Sequence, residues 1–303
     1  MVVATGFFDG VHIGHRHVID RLVSAAHERG TESVVVTFWP HPRNVLQNGA
    51  RGLRLLSSLQ DKKERLLSLG VDRVEVLDFT REFSRLTTEE YLRGYVMERF
   101  GGTAILLGYD NRMGCDAGTA DDIEAQARAM GLEVIRTDGI VTGGVTVSST
   151  KIREALASGN VGLASEMLGY CYSLHGVVVE GNRLGRSIGF PTANMQLYEP
   201  LKLIPANGVY LVEVETLGRT WRGMTNIGTR PTVTGISSSD ANSDRMRTIE
   251  TNIFGFDEDI YGLDIRVAFL AKIRDERQFS SMEGLKAQLE MDREACASMS
   301  ERF

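Results

Sequence analysis

The chain opens with MVVATGFFDGVHIGHRHVIDRLVSAAHER, residues 1–29, and the reading of this stretch decides the fold. Met1 to Ala4 is a short apolar run that reads as a buried strand, Thr5 to Gly10 as a tight turn, and His15 to Arg29 as a helix with apolar residues at Val18, Ile19, Leu22, Val23 and Ala26. A strand, a turn and a helix in that order present the helix's first backbone N–H groups and its positive dipole end to an anion. His12 and His15, three residues apart, fall on one side of that end, and Gly14 between them lets a ligand approach the backbone. The arrangement suits a triphosphate whose α-phosphorus is under attack. Two histidines near a helix start are also met simply as solvated side chains, so the rest of the chain has to decide.

With 303 residues, 42% hydrophobic and 24% charged, the composition is that of a soluble globular protein with room for two domains. A net charge of -6 argues against a protein that coats nucleic acid, so phosphate binding must be local. Cys115, Cys171 and Cys296 are widely spaced and form no CxxC or Cys/His cluster, which fits a reducing, cytoplasmic setting. No apolar segment approaches the roughly 18 residues of a membrane span, and no basic leader precedes one, so no membrane partner is expected.

Beyond the first helix, Ser33 to Phe38 reads as a second buried strand that runs into Trp39-Pro40-His41-Pro42-Arg43, where two prolines force a loop. Leu59 to Leu69 has helical spacing, Arg73 to Leu77 is strand-like, and Thr87 to Phe100 is a helix opened by a Thr87/Glu90 capping box. Thr103 to Leu107 and Glu133 to Arg136 are strands around a helix from Asp121 to Met130. The alternation predicts an α/β, Rossmann-like domain: a parallel sheet with helices on both faces and ligands at the carboxyl ends of the strands. Val147 to Arg153, VSSTKIR, then starts a helix capped by Ser149 or Thr150 and running to about Ser158. Lys151 and Arg153 in its first turn are disfavoured by the dipole, which hints at an anion between them; the bland alternative is a capped surface helix balanced by Glu154.

GFFDGVHIGH resembles the nucleotide-binding signature of nucleotidyltransferases, and its FDG narrows the resemblance to prokaryotic bifunctional riboflavin kinase/FMN adenylyltransferase, also called FAD synthetase. SSTxIR downstream of HxGH is the pairing that family carries, in this order. The resemblance implies catalytic roles for His12, His15 and Arg153, and ATP or phosphate contacts for Gly6, Phe7, Asp9, Gly14, Ser148, Ser149, Thr150 and Lys151. His41 and Asp110, in loops that follow strands, become candidate flavin contacts. His41 reads equally as an ordinary loop residue, whereas Asp110 suits Mg²⁺ or a ribityl hydroxyl. The family is usually aromatic after GxD, whereas this chain has Asn111 and Met113 there, which weakens the expected stacking on flavin.

Val161 to Leu168 reads as a short helix, and a boundary is expected there, giving domains 1–168 and 169–303. Helical periodicity then fades. Tyr172 to Val179, Gly208 to Glu215, Thr220 to Asn226, Thr248 to Ile253 and Asp264 to Lys272 read as strands of a small closed antiparallel β-barrel, followed by a terminal helix, Met282 to Ala297, packing through Leu285 and Leu289. GNRLGRSIGFPTAN, residues 181–194, places Gly181, Gly185 and Gly189 around Arg183 and Arg186 in a basic loop able to cover phosphates. Thr192 and Asn194, two apart in an extended segment, point to one side and suit a Mg²⁺ that keeps waters and phosphates as its other ligands.

The composite GRxIGFPTAN resembles the riboflavin kinase signature, which implies phosphate contacts for Gly185, Arg186 and Gly189. In TIETNIF, residues 248–254, alternation puts Ile249, Thr251 and Ile253 on one face and Glu250, Asn252 and Phe254 on the other. Glu250 is either an outward salt-bridge partner or, as the resemblance implies, the catalytic base. Asn252 stands where relatives often have histidine and Gly255 where they often have aspartate; Arg274 is a candidate holder of flavin or its phosphate, and Ser237 to Asp244 a candidate flap. The resemblance as a whole implies phosphorylation of riboflavin to FMN by Mg-ATP in the second domain and adenylylation of FMN to FAD in the first. Two alternatives stay open: a riboflavin kinase whose first domain is inactive or uses another acceptor, and a non-catalytic flavin or nucleotide binder.

Overall fold

The computed structural model describes residues 1–46, 53–108, 111–137, 141–142, 145–181, 184–229 and 247–300. By packing, the chain divides into two compact units, Met1–Ser149 and Thr150–Phe303.

In the first unit, five strands, β1 (Val2–Thr5), β2 (Ser33–Trp39), β3 (Arg73–Asp78), β4 (Ala104–Leu107) and β5 (Glu133–Arg136), form one parallel sheet in the order β3-β2-β1-β4-β5. The helices α1 (Ile13–Glu28), α2 (Pro42–Leu46), α3 (Leu59–Ser68), α4 (Thr88–Tyr91) and α5 (Ala120–Ala129) alternate with them, and α4 continues as π-helical turns over Leu92–Arg99. Capping boxes at Ser58/Asp61, Thr87/Glu90 and Thr119/Asp122 fix the starts of α3, α4 and α5. Strand alternation splits the core: Val2, Ala4 and Val35 pack with Ile19, Leu22 and Leu66 on one side of the sheet. Val3, Val34, Val36 and Ile105 pack with Tyr91, Leu92, Val96 and Ile123 on the other. Both faces of a parallel sheet are thereby covered, as the sequence pattern leads one to expect. The strand order reverses between β1 and β4, so the loops leaving their carboxyl ends flank the crevice where ligands of such sheets bind. A short antiparallel hairpin, β6 (Val141–Thr142) and β7 (Val145–Thr146), precedes the second unit.

The second unit begins within α6 (Ser149–Ala157), followed by α7 (Val161–Leu168). By packing these two helices go with the barrel, whereas the sequence reading counts them with the first domain. The barrel strands are β8 (Ser173–Val179), β9 (Ala193–Leu197), β10 (Gly208–Thr216), β11 (Arg219–Thr229), β12 (Arg247–Ile253) and β13 (Asp264–Arg274). They close in the order β10-β11-β12-β9-β8-β13 with every pair antiparallel. Leu217 and Gly218, both at positive φ, make the two-residue turn between β10 and β11. β9 begins inside the segment read as merely extended, and α8 (Leu184–Ser187) is a single turn in the glycine-rich loop before it. The terminal helix α9 (Met282–Ser300) covers an apolar cluster of the second unit, in which Cys296 and Leu289 meet Phe190, Val209, Leu211 and Met224. All three cysteines are free thiols, and burial pushes that of Cys296 up to about 12. No helix among the described residues is long and apolar enough to cross a membrane.

Candidate functional site

The loop after β1 is held in a conformation that ordinary side chains resist. Phe8 and Val11 have φ of 51° and 39°, and Gly10 has 81°. Strain of this kind persists only where the surroundings impose it. Asp9 is one cause: its carboxylate, 3% exposed, accepts the Leu56 N–H at 3.0 and 3.1 Å, the Ser57 N–H at 3.1 Å and the Ser57 hydroxyl at 3.2 Å. The Gly10 N–H donates to the same Ser57 hydroxyl at 3.0 Å. Asp9, expected at the phosphates, is the carboxylate that holds the loop in this shape.

His12 is the N-cap of α1, and its Nδ1 accepts the His15 N–H at 3.3 Å. With Nδ1 an acceptor, a neutral His12 carries its proton on Nε2. The two imidazoles stack, with centroids 3.6 Å apart and planes 14° from parallel. A Cβ on Gly14 would stand 3.2 Å from the His12 ring. Gly14 therefore makes room for His12, where the sequence reading had it make room for a ligand. Burial, with His12 and Lys62 nearby, holds the His15 pKa well below its ordinary value, and His15 Nδ1 is buried without a hydrogen-bond partner. The Ser149 hydroxyl donates to the Asp9 carbonyl at 3.0 Å, so α6 begins at the residue expected to cap it and that hydroxyl ties down the loop.

Beneath the loop lies a residue the sequence reading passed over. Lys62 of α3 is 0% exposed; its Nζ donates to the Phe7 carbonyl at 2.9 Å and the Thr37 hydroxyl at 3.1 Å, and lies 3.9 Å from the centre of the Phe7 ring. His41 also meets Phe7, its ring centre 3.9 Å away. The signal was present: Leu59, Lys62 and Leu66 share one face of α3, so Lys62 occupies an apolar-stripe position.

Across the crevice, Asn111 accepts the Gly108 N–H and donates to the Thr5 carbonyl at 3.5 Å, linking the ends of β4 and β1. Met113 is buried in the cluster that contains Tyr91, with Phe83 and Tyr95 packed against it. Of the two departures from the aromatic pattern, Asn111 thus ties two strand ends together and Met113 fills the core. Asp110 lies outside the described residues, as do Arg183 and the expected flap, Ser237 to Asp244.

In the barrel, the outward face of β12 carries the second set. Glu250 pairs in register with Asn226 of β11 on one side and Asn194 of β9 on the other, so the three side chains form a row across three strands. The opposite face is core: Ile249 and Thr251 are buried, and the Thr251 and Thr225 hydroxyls are 2.8 Å apart. A Cβ on Gly181 would overlap the Asn194 carboxamide as it stands, so glycine lets that backbone lie against it without moving it. Asn252, 8% exposed, donates to the Pro191 carbonyl at 2.7 Å and fixes the FPTAN segment. Thr192, Asn194, Gly181 and Arg186 line a cleft of about 290 Å³ whose far wall includes Asp257 and Tyr261. Gly189, at φ 85°, and Gly185, packed on the Phe190 carbonyl, turn the loop between them.

Arg274 is not part of this row. Its Nε and Nη2 bind the Asp292 carboxylate of α9 at 2.7 to 3.0 Å, and its Nη1 donates to the Asp275 carbonyl. Where a flavin contact was expected, the guanidinium anchors the terminal helix. Asn226 is only the end of a strand in the sequence reading, and its place beside Glu250 follows from strand register.

Comparison with known proteins agrees with both halves. The family model for FAD synthetase matches residues 1–151 and that for riboflavin kinase residues 168–300. Proteins named bifunctional riboflavin kinase/FMN adenylyltransferase are 37% identical in Listeria monocytogenes and 36% in Escherichia coli K12, each over 96% of this chain and 90% of the relative. The Bacillus subtilis protein of that name is 34% identical over 97% and 90%. A crystal structure described as a macrolide-efflux protein from Streptococcus pneumoniae superposes with a TM-score of 0.88 at 33% identity, over 98% of this chain and 93% of that one.

Proposed function

The chain belongs to the bifunctional riboflavin kinase/FMN adenylyltransferase family and acts in FAD biosynthesis through those two transferase activities, and from that premise we propose how its residues share the two reactions. Residues 1–168 carry adenylyl transfer and residues 169–303 carry the kinase.

In adenylyl transfer, an FMN phosphate oxygen bonds to the α-phosphorus of ATP as the bond to the bridging oxygen breaks and pyrophosphate leaves. The Gly6–His15 loop, with Phe7 at its base, receives the triphosphate. His12 and His15 meet it as neutral N–H donors, Gly14 keeps the His12 ring in place, and Asp9 and Ser149 hold the loop backbone. Ser148, Thr150, Lys151 and Arg153, at the start of α6, supply hydroxyls and positive charge to the phosphates. No covalent intermediate is needed, because alignment and neutralisation of developing charge supply most of the catalysis. His41, beside Phe7, and Asp110 are the proposed flavin contacts.

In the kinase, Glu250 takes the proton from the terminal ribityl hydroxyl as that oxygen bonds to the γ-phosphorus and ADP leaves. The glycine-rich loop covers the phosphates through Arg186, with Gly185 and Gly189 allowing it to fold over them. The Thr192 hydroxyl and Asn194 carboxamide are neutral oxygen donors lining the same cleft, a set that fits Mg²⁺ sharing its sphere with water and phosphate. When bound, Mg²⁺ neutralises phosphate charge. The observation that supports the kinase reading is the register of Asn194 against Glu250, with Asn194 and Thr192 lining a cleft of about 290 Å³.

The test is Asn194→Ala assayed separately for FMN formation from riboflavin and for FAD formation from supplied FMN. The reading expects FMN formation to fall, with a higher requirement for Mg²⁺, while FAD formation is kept. An unchanged Mg²⁺ requirement removes Asn194 from the metal site.

A further inference from the structure

A lysine that is wholly buried beside a phosphate-binding loop requires a physical account. Desolvating an ammonium is costly, and a solvated surface would hold it at no such cost. Lys62 satisfies itself with the Phe7 carbonyl, the Thr37 hydroxyl and the face of the Phe7 ring. Two of these three contacts are to the loop that carries the histidines. The charged and titratable groups around it are Asp9 in the same loop and His15 at the start of α1, with His12 stacked on His15 and His41 against the far side of Phe7. The Thr37 hydroxyl also donates to the Phe7 carbonyl, at 3.1 Å, so a methionine or leucine at this stripe position would leave that carbonyl the hydroxyl but take away its ammonium donor.

We propose that Lys62 is a positioning residue of adenylyl transfer: it pins the base of the Gly6–His15 loop to β2 and sets a positive charge under the histidines that draws the triphosphate in. This rests on the assignment of adenylyl transfer to that loop. Lys62 touches no substrate in this arrangement and acts through the Phe7 carbonyl and through His15. Burial lowers its own pKa to about 8, while Asp9 opposes that shift. The charge is therefore present at neutral pH and is lost as pH rises through about 8.

The experiment uses the full chain and measures FAD formation from supplied FMN between pH 6 and 9.5, with FMN formation from riboflavin in the same samples as the internal control. In the wild type, FAD formation is expected to fall as pH passes about 8 while FMN formation does not show that limb. Lys62→Met is expected to lower kcat for FAD formation about tenfold or more with a smaller change in KM for ATP. Lys62→Arg, which keeps its charge throughout this range, is expected to recover part of the rate at pH 7 and to move the alkaline fall upward. A purely structural lysine would not move the pH profile between Met and Arg variants. A wild-type FAD profile flat to pH 9.5, which needs no variant to fold, overturns the proposal, and so does Lys62→Met with wild-type kcat. His15→Ala separates the two levels: if it leaves FAD formation intact, the site assignment itself fails, and if it abolishes FAD formation while Lys62→Met does not, only the role of Lys62 fails.

Discussion

His12 and His15 are held ring on ring, 3.6 Å apart and 14° from parallel, by the hydrogen bond that His12 Nδ1 accepts from the His15 backbone N–H. Imidazoles stacked so closely cannot both take a proton without like-charge repulsion, and the burial of His15 pushes its proton affinity down further. Of the two rings, His15 is the one held away from the charged form.

The acid side of the stability profile follows from this. His15 in the folded chain refuses a proton that it accepts when unfolded, so stability falls as pH drops below about 6.5. Urea unfolding followed between pH 7 and 5 is expected to show a shallower pH slope for His15→Gln than for the wild type. Equal slopes would mean that His15 titrates normally in the folded chain.

His12 has a second task as the cap of α1. His12→Ala is expected to cost about 1 kcal/mol of stability through the lost cap and to abolish FAD formation, because His15 loses the ring it stacks on. FMN formation from riboflavin is the control and is expected to stay at the wild-type rate. Chemical denaturation with separate assays of the two products checks both parts.

In the barrel, Asn252 reaches across to the Pro191 carbonyl at 2.7 Å and so steadies the segment that carries Thr192 and Asn194. Asn252→Ala leaves that carbonyl unpaired and is expected to cost about 1 to 3 kcal/mol and to raise KM for ATP in FMN formation, with FAD formation from FMN kept. Steady-state kinetics of the two half-reactions measure it. An unchanged KM would show that the asparagine only fills space.

The Arg274–Asp292 pair is almost completely desolvated, at 12% and 2% side-chain exposure. Removing one partner strands the other, so Asp292→Ala is expected to destabilise the barrel by about 3 kcal/mol and to loosen α9. Hydrogen exchange along residues 282–300 should rise in this variant, while the exchange of β1 to β5 does not change.

The parts of this molecule legible in its sequence are those set by local periodicity. The alternation of strands and helices from Met1 to Arg136, the capping box at Thr87 and the two faces of β12 could all be read because each rests on neighbours within a few residues. The HxGH pair was legible for the same reason, being one turn of helix. What the sequence hid depends on distant partners. The sequence places Asp9 near the phosphates, but its hydrogen bonds to the backbone of Leu56 and Ser57, some 47 residues away, are invisible there. The sequence offers Arg274 as a flavin contact, but not its pairing with Asp292, 18 residues on. Lys62 was missed because QDKKER reads as a solvated run, although its spacing from Leu59 and Leu66 marks the buried face. Asn226 gained its place beside Glu250 from barrel register, which no short motif encodes.

The most direct test of the account is a pair of single substitutions in the full chain, each followed by chromatography of riboflavin, FMN and FAD over time. Glu250→Gln is expected to give no FMN from riboflavin and Mg-ATP while still converting supplied FMN to FAD. His15→Ala is expected to accumulate FMN from riboflavin and make no FAD. Normal FMN production by the first variant, or normal FAD production by the second, would contradict the assignment of one reaction to each site.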